Sequence, residues 1–322
     1  WWNVYGKDKQ LLLLKITDNN ELIGIAPLMI ENKIIKFLGD PQCDYNDFII
    51  VNNKEKSIQE IYAYLLENKK WDYISLFGIP GYSSSIKILE NVSKSILKKI
   101  CNICPYIKTE GSFDDYRQQF LSSNSRSFIN RTINKLNNED LSFKIDIEPN
   151  LNEFFELHKK KWNLTKTPSM FNHEINKKFL TEISKNVPWF RLFSMNINKG
   201  ILAYLTFYNY NDKIAGYLMC FDPDYNKFSP GFIIVNMLLK YCFENNYKEL
   251  DLLRGDEFYK TRLTSQFRTN YTINVYRNNL KSRLLNLKHR NYEKSKEIFR
   301  KNNFIIGMLR KIRENCRYYL KK

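Results

Sequence analysis

The run from Ile214 to Leu263 constrains this chain more than any other, because it reads in order as strand, loop, helix, strand and charged turn. Ile214 to Phe221 is apolar and aromatic over the length of a strand, and Asp222-Pro223 stops it. The loop from Asp224 to Gly231 then sets Ser229 and Pro230 at the N-cap and first position of a helix. From Phe232 to Phe243 nearly every residue is apolar, with Ile233, Ile234, Met237, Leu238 and Tyr241 at helical spacing, which predicts a mostly buried helix. A second short buried strand, Leu250-Asp-Leu-Leu253, ends in Arg254-Gly-Asp-Glu257.

That order points to an anion site. A helix starting just after a strand offers free backbone N–H groups and the positive end of its dipole, and a glycine there lets a ligand approach the backbone. Lys227, Phe228, Ser229, Pro230, Gly231 and Phe232 form the expected cradle, with phosphate as its natural guest. A capped core helix holding nothing at its start would give the same pattern.

These residues also carry a resemblance. Phe-Asp-Pro at 221–223, Ser-Pro-Gly at 229–231 and Leu-Asp-Leu-Leu-Arg-Gly-Asp-Glu-Phe-Tyr-Lys at 250–260 resemble the GNAT acyltransferase superfamily. Within it they look like the CelD-type proteins of bacterial polysaccharide biosynthesis, relatives of the Fem-type peptidoglycan aminoacyltransferases. Glu21-Leu-Ile-Gly-Ile-Ala-Pro-Leu28, Phe37-Leu-Gly-Asp40, Asp44-Tyr-Asn-Asp-Phe48 and the central segment Phe155 to Trp162 extend the resemblance over about residues 1–278. It implies direct transfer from acetyl-CoA or another acyl-CoA, or from aminoacyl-tRNA as in the Fem-type relatives. GNAT proteins usually carry two or three glycines at the cradle; Gly231 alone stands here, which leaves the donor open.

With 322 residues and 43% hydrophobic content, the chain has material for one large domain or two ordinary ones. No apolar run reaches the length of a membrane-spanning helix. The chain opens on Trp1-Trp2 without Met and without a basic-then-apolar leader, so it is expected to begin part-way into a longer protein. Six scattered cysteines, two of them in apolar settings at 220 and 242, favour a reduced, cytoplasmic setting, with membrane association through the tail kept open. Cys101-Asn-Ile-Cys104 lacks a second pair or a nearby His, so no metal is expected. The net charge of +17 is concentrated late: residues 281–322 hold fourteen Lys or Arg against three Glu. There Phe304 to Leu309 is an apolar island between basic pairs, which suits a helix on an anionic membrane surface, a contact with tRNA, or a solvated extension packed on the domain or a second subunit.

Along the chain, Leu11–Ile16, Glu21–Glu31 and Lys33–Leu38 read as an antiparallel meander turned at Asp18-Asn-Asn20 and Asn32, with a fourth strand from Asp44 to Val51. A helix from Ser57 to Asn68, a strand at Tyr73–Phe77 and a helix from Ser83-Ser-Ser85 to about Leu97 follow. Ser112 to Asn138 is a long helix or a broken pair; its Arg126 and Arg131 match a basic stretch of the family, a rim for sugar or phosphate or else a solvated face. The helix from Asn152 to Trp162 sets His158 and Trp162 on one face. A second meander, 190–197, 201–210 and 214–221, leads into the anchor block, and 271–276 makes a closing strand. The expected fold is α+β, layered: two GNAT-like halves at 1–140 and 141–278, with mixed, mostly antiparallel sheets flanked by helices, and a basic helical extension at 279–322.

No Gly-x-Ser-x-Gly or Cys–His pairing suggests a covalent intermediate, so direct transfer in a ternary complex is the expected route. Asp256, Glu257 and Lys260 are the candidate acid–base residues, because they follow a strand at the end where α/β sheets bind ligands. Asp256 ranks first, since Gly255 permits an unusual backbone before it. Arg254, Tyr259, Arg126, His158 and Trp162 are candidates to hold a small-molecule or saccharide acceptor. The expected function is acyl transfer to an amino or hydroxyl group in cell-surface or extracellular polysaccharide biosynthesis. The alternatives are a Fem-type aminoacyl-tRNA-dependent transferase and a non-catalytic scaffold of a membrane-bound synthase.

Overall fold

The computed structural model describes residues 1–68, 70–296 and 298. In chain order the elements are α1 (Trp2–Tyr5), β1 (Gln10–Asp18), β2 (Glu21–Glu31), β3 (Ile34–Phe37), β4 (Ile49–Ile50), α2 (Lys54–Asn68), β5 (Tyr73–Pro80), α3 (Ser84–Val92) and β6 (Ile96–Lys108). They continue with α4 (Phe113–Phe120), α5 (Ser123–Asn137), β7 (Ser142–Asp146), α6 (Asn152–Trp162), α7 (Glu174–Asn186), β8 (Phe190–Ile197), β9 (Gly200–Tyr210) and β10 (Lys213–Phe221). Last come α8 (Pro230–Glu244), β11 (Glu249–Asp251), α9 (Phe258–Thr261) and β12 (Phe267–Tyr276), followed by a helix over residues 280–296.

The chain forms two compact units, and both draw on its two halves. The larger comprises Trp1–Asp8, Pro41–Tyr45 and Ile100–Asn270, so the boundary expected at 140/141 falls inside it. The reason is pairing and packing. β6 pairs antiparallel with β11, and Ile129 and Leu136 of α5 share one apolar core with Ile233, Leu238 and Leu239 of α8. Its strands run β6-β11-β10-β9-β8-β7. Alternation along the strands separates two cores: Phe193, Leu205 and Phe207 meet α5 and α8, while Leu192 and Tyr204 meet Phe154 and Phe155 of α6 and Leu180 of α7. The sheet is therefore sandwiched between helical layers.

The smaller unit holds Lys9–Asp40, Asn46–Lys99 and the described residues from Tyr271 on. Its strands run β1-β2-β3-β5, closed by residues 271–276 of β12, with β4 on β2. Ile58, Ile61 and Leu65 of α2 and Ile86 and Leu89 of α3 cover the apolar face made by Leu28, Ile35, Ile74 and Val275.

The tight turns follow their residues. Asn19-Asn20, Asn32-Lys33 and Asn211-Asp212 all carry positive φ at both central positions, the geometry whose twist suits a two-residue hairpin. The stretch at 112–138 is a broken pair: Leu121 is extended and buried, and Ser122 restarts a helix by accepting from the Ser125 N–H. The strand expected from Asp44 to Val51 shrinks to Ile49–Ile50, because residues 41–45 belong to the other unit. The helix after Ser83 stops at Val92, where Ser93 turns extended toward β6. Of the basic tail, the apolar island at 304–309 lies outside the described residues.

Candidate active site

Strands β10 and β11 are parallel neighbours for only three residues, Lys213–Ala215 against Glu249–Asp251. Beyond that they part. β10 bulges between Gly216 and Leu218, and β11 ends at Asp251, after which Leu253 takes a left-handed φ of 54°. A parting of parallel strands at their C-terminal ends, next to a helix start, is where layered α/β sheets bind ligands. Here the helix is α8, entered from β10 through the turn Pro223–Phe228.

The segment Pro41–Tyr45 delivers two groups to this region. The Tyr45 phenol donates to Asp251 Oδ2 at 2.7 Å, and Arg268 Nη1 donates to the same oxygen at 3.1 Å. Asp251 Oδ1 accepts the Leu253 N–H at 2.7 Å, and Arg268 also grips Glu249. Asp251 is thus saturated with partners, although burial pushes its pKa up. Asp44 is different. Its Oδ2 accepts the Arg254 N–H at 3.3 Å, while Oδ1 lies 2.9 Å from Arg254 Nε without hydrogen-bond alignment and is buried with no hydrogen-bond partner. Burial raises the Asp44 pKa, and the Arg254 charge only offsets this. Across from it, Tyr217 packs against Tyr208 with ring centroids 5.5 Å apart. Burial, with the Asp44 charge second, pushes the Tyr217 phenol up to about 12. Asp44 is thus held by the turn that follows β11, and its charge reaches Tyr217 of β10.

The charged turn is built otherwise than expected. Asp256, ranked first as the base, is exposed, as is Glu257. Glu257 pairs with Lys260 at 2.9 Å and folds its carboxylate back over Gly255, whose φ of 121° only glycine tolerates easily. Lys260 is buried and donates to the carbonyl oxygens of Arg254 (2.7 Å) and Leu253 (3.5 Å), so it locks the turn. Arg254 ties down residues 41–44, donating to Pro41 O at 2.9 Å besides its Asp44 contacts. Tyr259 packs against the core beside α8, where burial raises its pKa. Acids a few residues apart on a turn bind the turn itself when a buried lysine supplies the partner.

At the start of α8, Ser229 has a left-handed backbone and its side chain makes no capping bond. Pro230, Gly231 and Phe232 are buried. A Cβ on Gly231 would meet Met219 Cε at 2.9 Å and Phe221 at 3.3 Å, so this glycine lets the helix approach β10 and is not turned toward a ligand. Lys227 is exposed over the Phe228 ring. The positive group at this end is one that sequence reasoning missed: Arg262 lies 4.2 Å from the Phe232 ring centroid and donates to Ser125 Oγ near the start of α5. Two helix N-termini and a guanidinium meet there, an arrangement that favours an anion.

The remaining candidates separate from this region. Arg126 donates to the carbonyl oxygens of Arg117, Gln118 and Leu121, closing the end of α4 rather than presenting a basic rim. His158 is buried, shares a 2.8 Å hydrogen bond with Ser169 Oγ and stacks on Trp162. Burial lowers its pKa to about 4. Trp162 keeps 37% of its surface exposed. A groove of about 830 Å³ between α6 and α7, lined by Glu153, Glu156, Ile175 and Lys178, contains none of the expected residues. Cys101 and Cys104 stand three apart on β6, so they face opposite ways, and burial pushes Cys104 up to about 12. Among the described residues no cluster of His, Cys, Asp or Glu could hold a metal ion.

Asp44, Tyr45, Asp251 and Arg268 were not singled out as site residues: the first three lie in segments that carry the resemblance, but only the fold brings the four together. The signal for Asp251 was an acid inside an otherwise apolar strand, Glu249-Leu-Asp-Leu-Leu253, a position that demands a partner.

Comparison with known proteins is consistent with this geometry. Residues 123–261 match the family model described as an acetyltransferase (GNAT) domain. Among solved structures, FemX is similar with a TM-score of 0.60 at 10% identity, over 86% of this chain and 91% of that one. L-PGS from Bacillus licheniformis gives 0.56 at 11% identity, over 88% of each chain. A tandem GNAT protein from the clavulanic acid biosynthesis pathway gives 0.52 at 6% identity, over 83% of each. A sequence comparison with curated proteins found no match. Residues 123–261 match the GNAT acetyltransferase domain, and the fold of the chain is similar to that of the tandem GNAT protein.

Proposed function

We propose that this protein moves an acyl group directly from acyl-CoA to an amine or hydroxyl of a saccharide in cell-surface or extracellular polysaccharide biosynthesis, with Asp44 as the general base. The observation that carries the reading is the buried Asp44 carboxylate, held against Arg254 on the turn after β11, with one oxygen that makes no hydrogen bond. A carboxylate whose pKa is raised by burial accepts a proton more readily than a solvated one, once the acceptor reaches it. As the acceptor attacks the acyl carbon, its proton passes to Asp44, the C–S bond of the thioester breaks and CoA leaves as a thiol. The leaving sulfur takes its proton from water and Asp44 returns the one it accepted to water, so the protein ends in its starting state. Arg262 and the α8 start favour the donor's phosphates.

The test is release of CoA thiol with amino-sugar acceptors. Asp44→Asn should lower kcat/KM by roughly 10²- to 10⁴-fold in a protein that remains folded by circular dichroism, though less stable for the lost ion pair with Arg254. Wild-type turnover in that variant would end the assignment.

A second reading, transfer from aminoacyl-tRNA, draws support from the α8 start. Pro230 has no N–H and Gly231 is turned toward Met219, so the cradle has fewer accessible amides than a glycine-rich one. Salt-sensitive tRNA binding without thermal stabilisation by acyl-CoA would select it.

A further inference from the structure

The helix over residues 280–296 is mounted the wrong way round for a helix of a globular domain. Its docked face is polar. Ser282 Oγ donates to Asp72 O at 3.0 Å, Asn286 Nδ2 to Ser95 Oγ at 3.1 Å, and His289 Nδ1 shares a 2.7 Å bond with the Tyr276 hydroxyl. Glu293 pairs with Lys99 at 3.0 Å. Positions 282, 286, 289 and 293 recur at helical spacing, so they form one stripe, and every partner lies in the smaller unit.

The opposite stripe is apolar and open. Leu280, Leu284 and Leu287 are 74%, 59% and 57% exposed, and Ile298, which falls on the same line, is 61% exposed. At 100° per residue, Lys281 and Lys288 flank this stripe on one side and Arg283, Arg290 and Lys294 on the other; Lys281 also pairs with Asp72 at 2.6 Å and Arg290 donates to Ile96 O at 2.7 Å, so Lys288, Arg283 and Lys294 are the cations offered to a surface. The only carboxylate from 280 to 296 is Glu293, and Lys99 holds it on the docked face. A globular helix normally turns such a stripe inward.

We propose that this helix is a peripheral docking surface for an anionic lipid bilayer, with Leu280, Leu284 and Leu287 entering the headgroup boundary and the flanking cations meeting lipid phosphates. Charge decides the occupant. Apolar side chains between two rows of Lys and Arg match a surface that is negative outside and hydrocarbon beneath. A second copy of the same face would set like charges against each other. The sequence beyond continues in kind, with eight Lys or Arg against two Glu over 297–322. The inference stands on this helix and does not depend on the acyl-transfer reading.

The experiment is co-sedimentation of the full chain with phosphatidylcholine vesicles, with and without about one-third phosphatidylglycerol. Wild type should partition at least roughly tenfold better onto the anionic vesicles. Leu284→Glu with Leu287→Glu should reduce that binding roughly tenfold or more while the melting temperature holds. Lys288→Glu with Lys294→Glu, which keeps the stripe, should erase the preference for anionic lipid. Three results would each overturn the proposal: no lipid preference in wild type, undiminished binding in the leucine variant, or a wild-type dimer by light scattering that the leucine variant splits. Binding of RNA in place of vesicles would overturn it as well.

Discussion

Acid should unfold this protein partly through His158. In the folded chain the imidazole is only 5% exposed, lies against Phe154 and Phe171, stacks on Trp162 and shares one hydrogen bond with Ser169. Burial lowers its pKa from 6.5 to about 4. The unfolded chain therefore takes up a proton near pH 6.5 that the folded chain refuses until about pH 4. A histidine with a depressed folded-state pKa contributes its full stability above the unfolded value and loses it as pH falls between the two. The shift of roughly 2.5 units, at 1.36 kcal/mol each, corresponds to about 3 kcal/mol across that window. Urea unfolding of wild type and His158→Gln from pH 7.5 to 4.5 measures it, because the other titrating groups, Asp44 and Asp251 among them, are common to both proteins and cancel in the difference. The variant starts less stable at neutral pH, having lost the ring contacts, but its stability should fall less with acid, and the two curves should converge. Parallel curves would refute the reasoning, since they would mean that the ring titrates as if in water. The same pKa bears on function: an imidazole neutral down to pH 4 cannot act as a general acid at neutral pH.

Asp256→Asn should leave acyl transfer within about twofold of wild type, since the residue faces solvent, whereas Asp44→Asn should lower it roughly 10²- to 10⁴-fold; initial rates of thiol release compare the two. Gly231→Ala should cost about 1–3 kcal/mol in thermal unfolding, as its methyl meets Met219 and Phe221, with the KM for the donor nearly unchanged. Lys260→Met should cost about 1–3 kcal/mol and raise proteolytic nicking around 253–257, because two carbonyl oxygens of the turn lose their donor.

Local chemistry made much of the fold readable before any coordinates. The Asn pairs at the hairpins, the 152–162 helix and the strand, helix, strand order of the anchor block follow from residues close in sequence. What escaped depends on pairings between distant residues. β6 joins β11 from far along the chain, and nothing in Ile96–Lys108 declares its partner, so the interleaving of the two compact units was not legible. The site divides in the same way. The helix start at Pro230 and the glycine turn at 255 were legible, while Asp44 gains its significance only once Arg254 is set against it and its charge reaches Tyr217. Conspicuous acids at 256 and 257 drew the chemistry to a turn whose charges serve Lys260.

The exchange of β6 and residues 271–276 between the two units has a consequence for any attempt to dissect the protein. A fragment ending after α5 would lack the strand that closes its own sheet, and one beginning there would lack β6, leaving Glu249–Asp251 with a bare margin of unpaired amides. Separately expressed halves should therefore aggregate alone and recover solubility only when produced together, and gene fusions that borrow just one of them would inherit the defect.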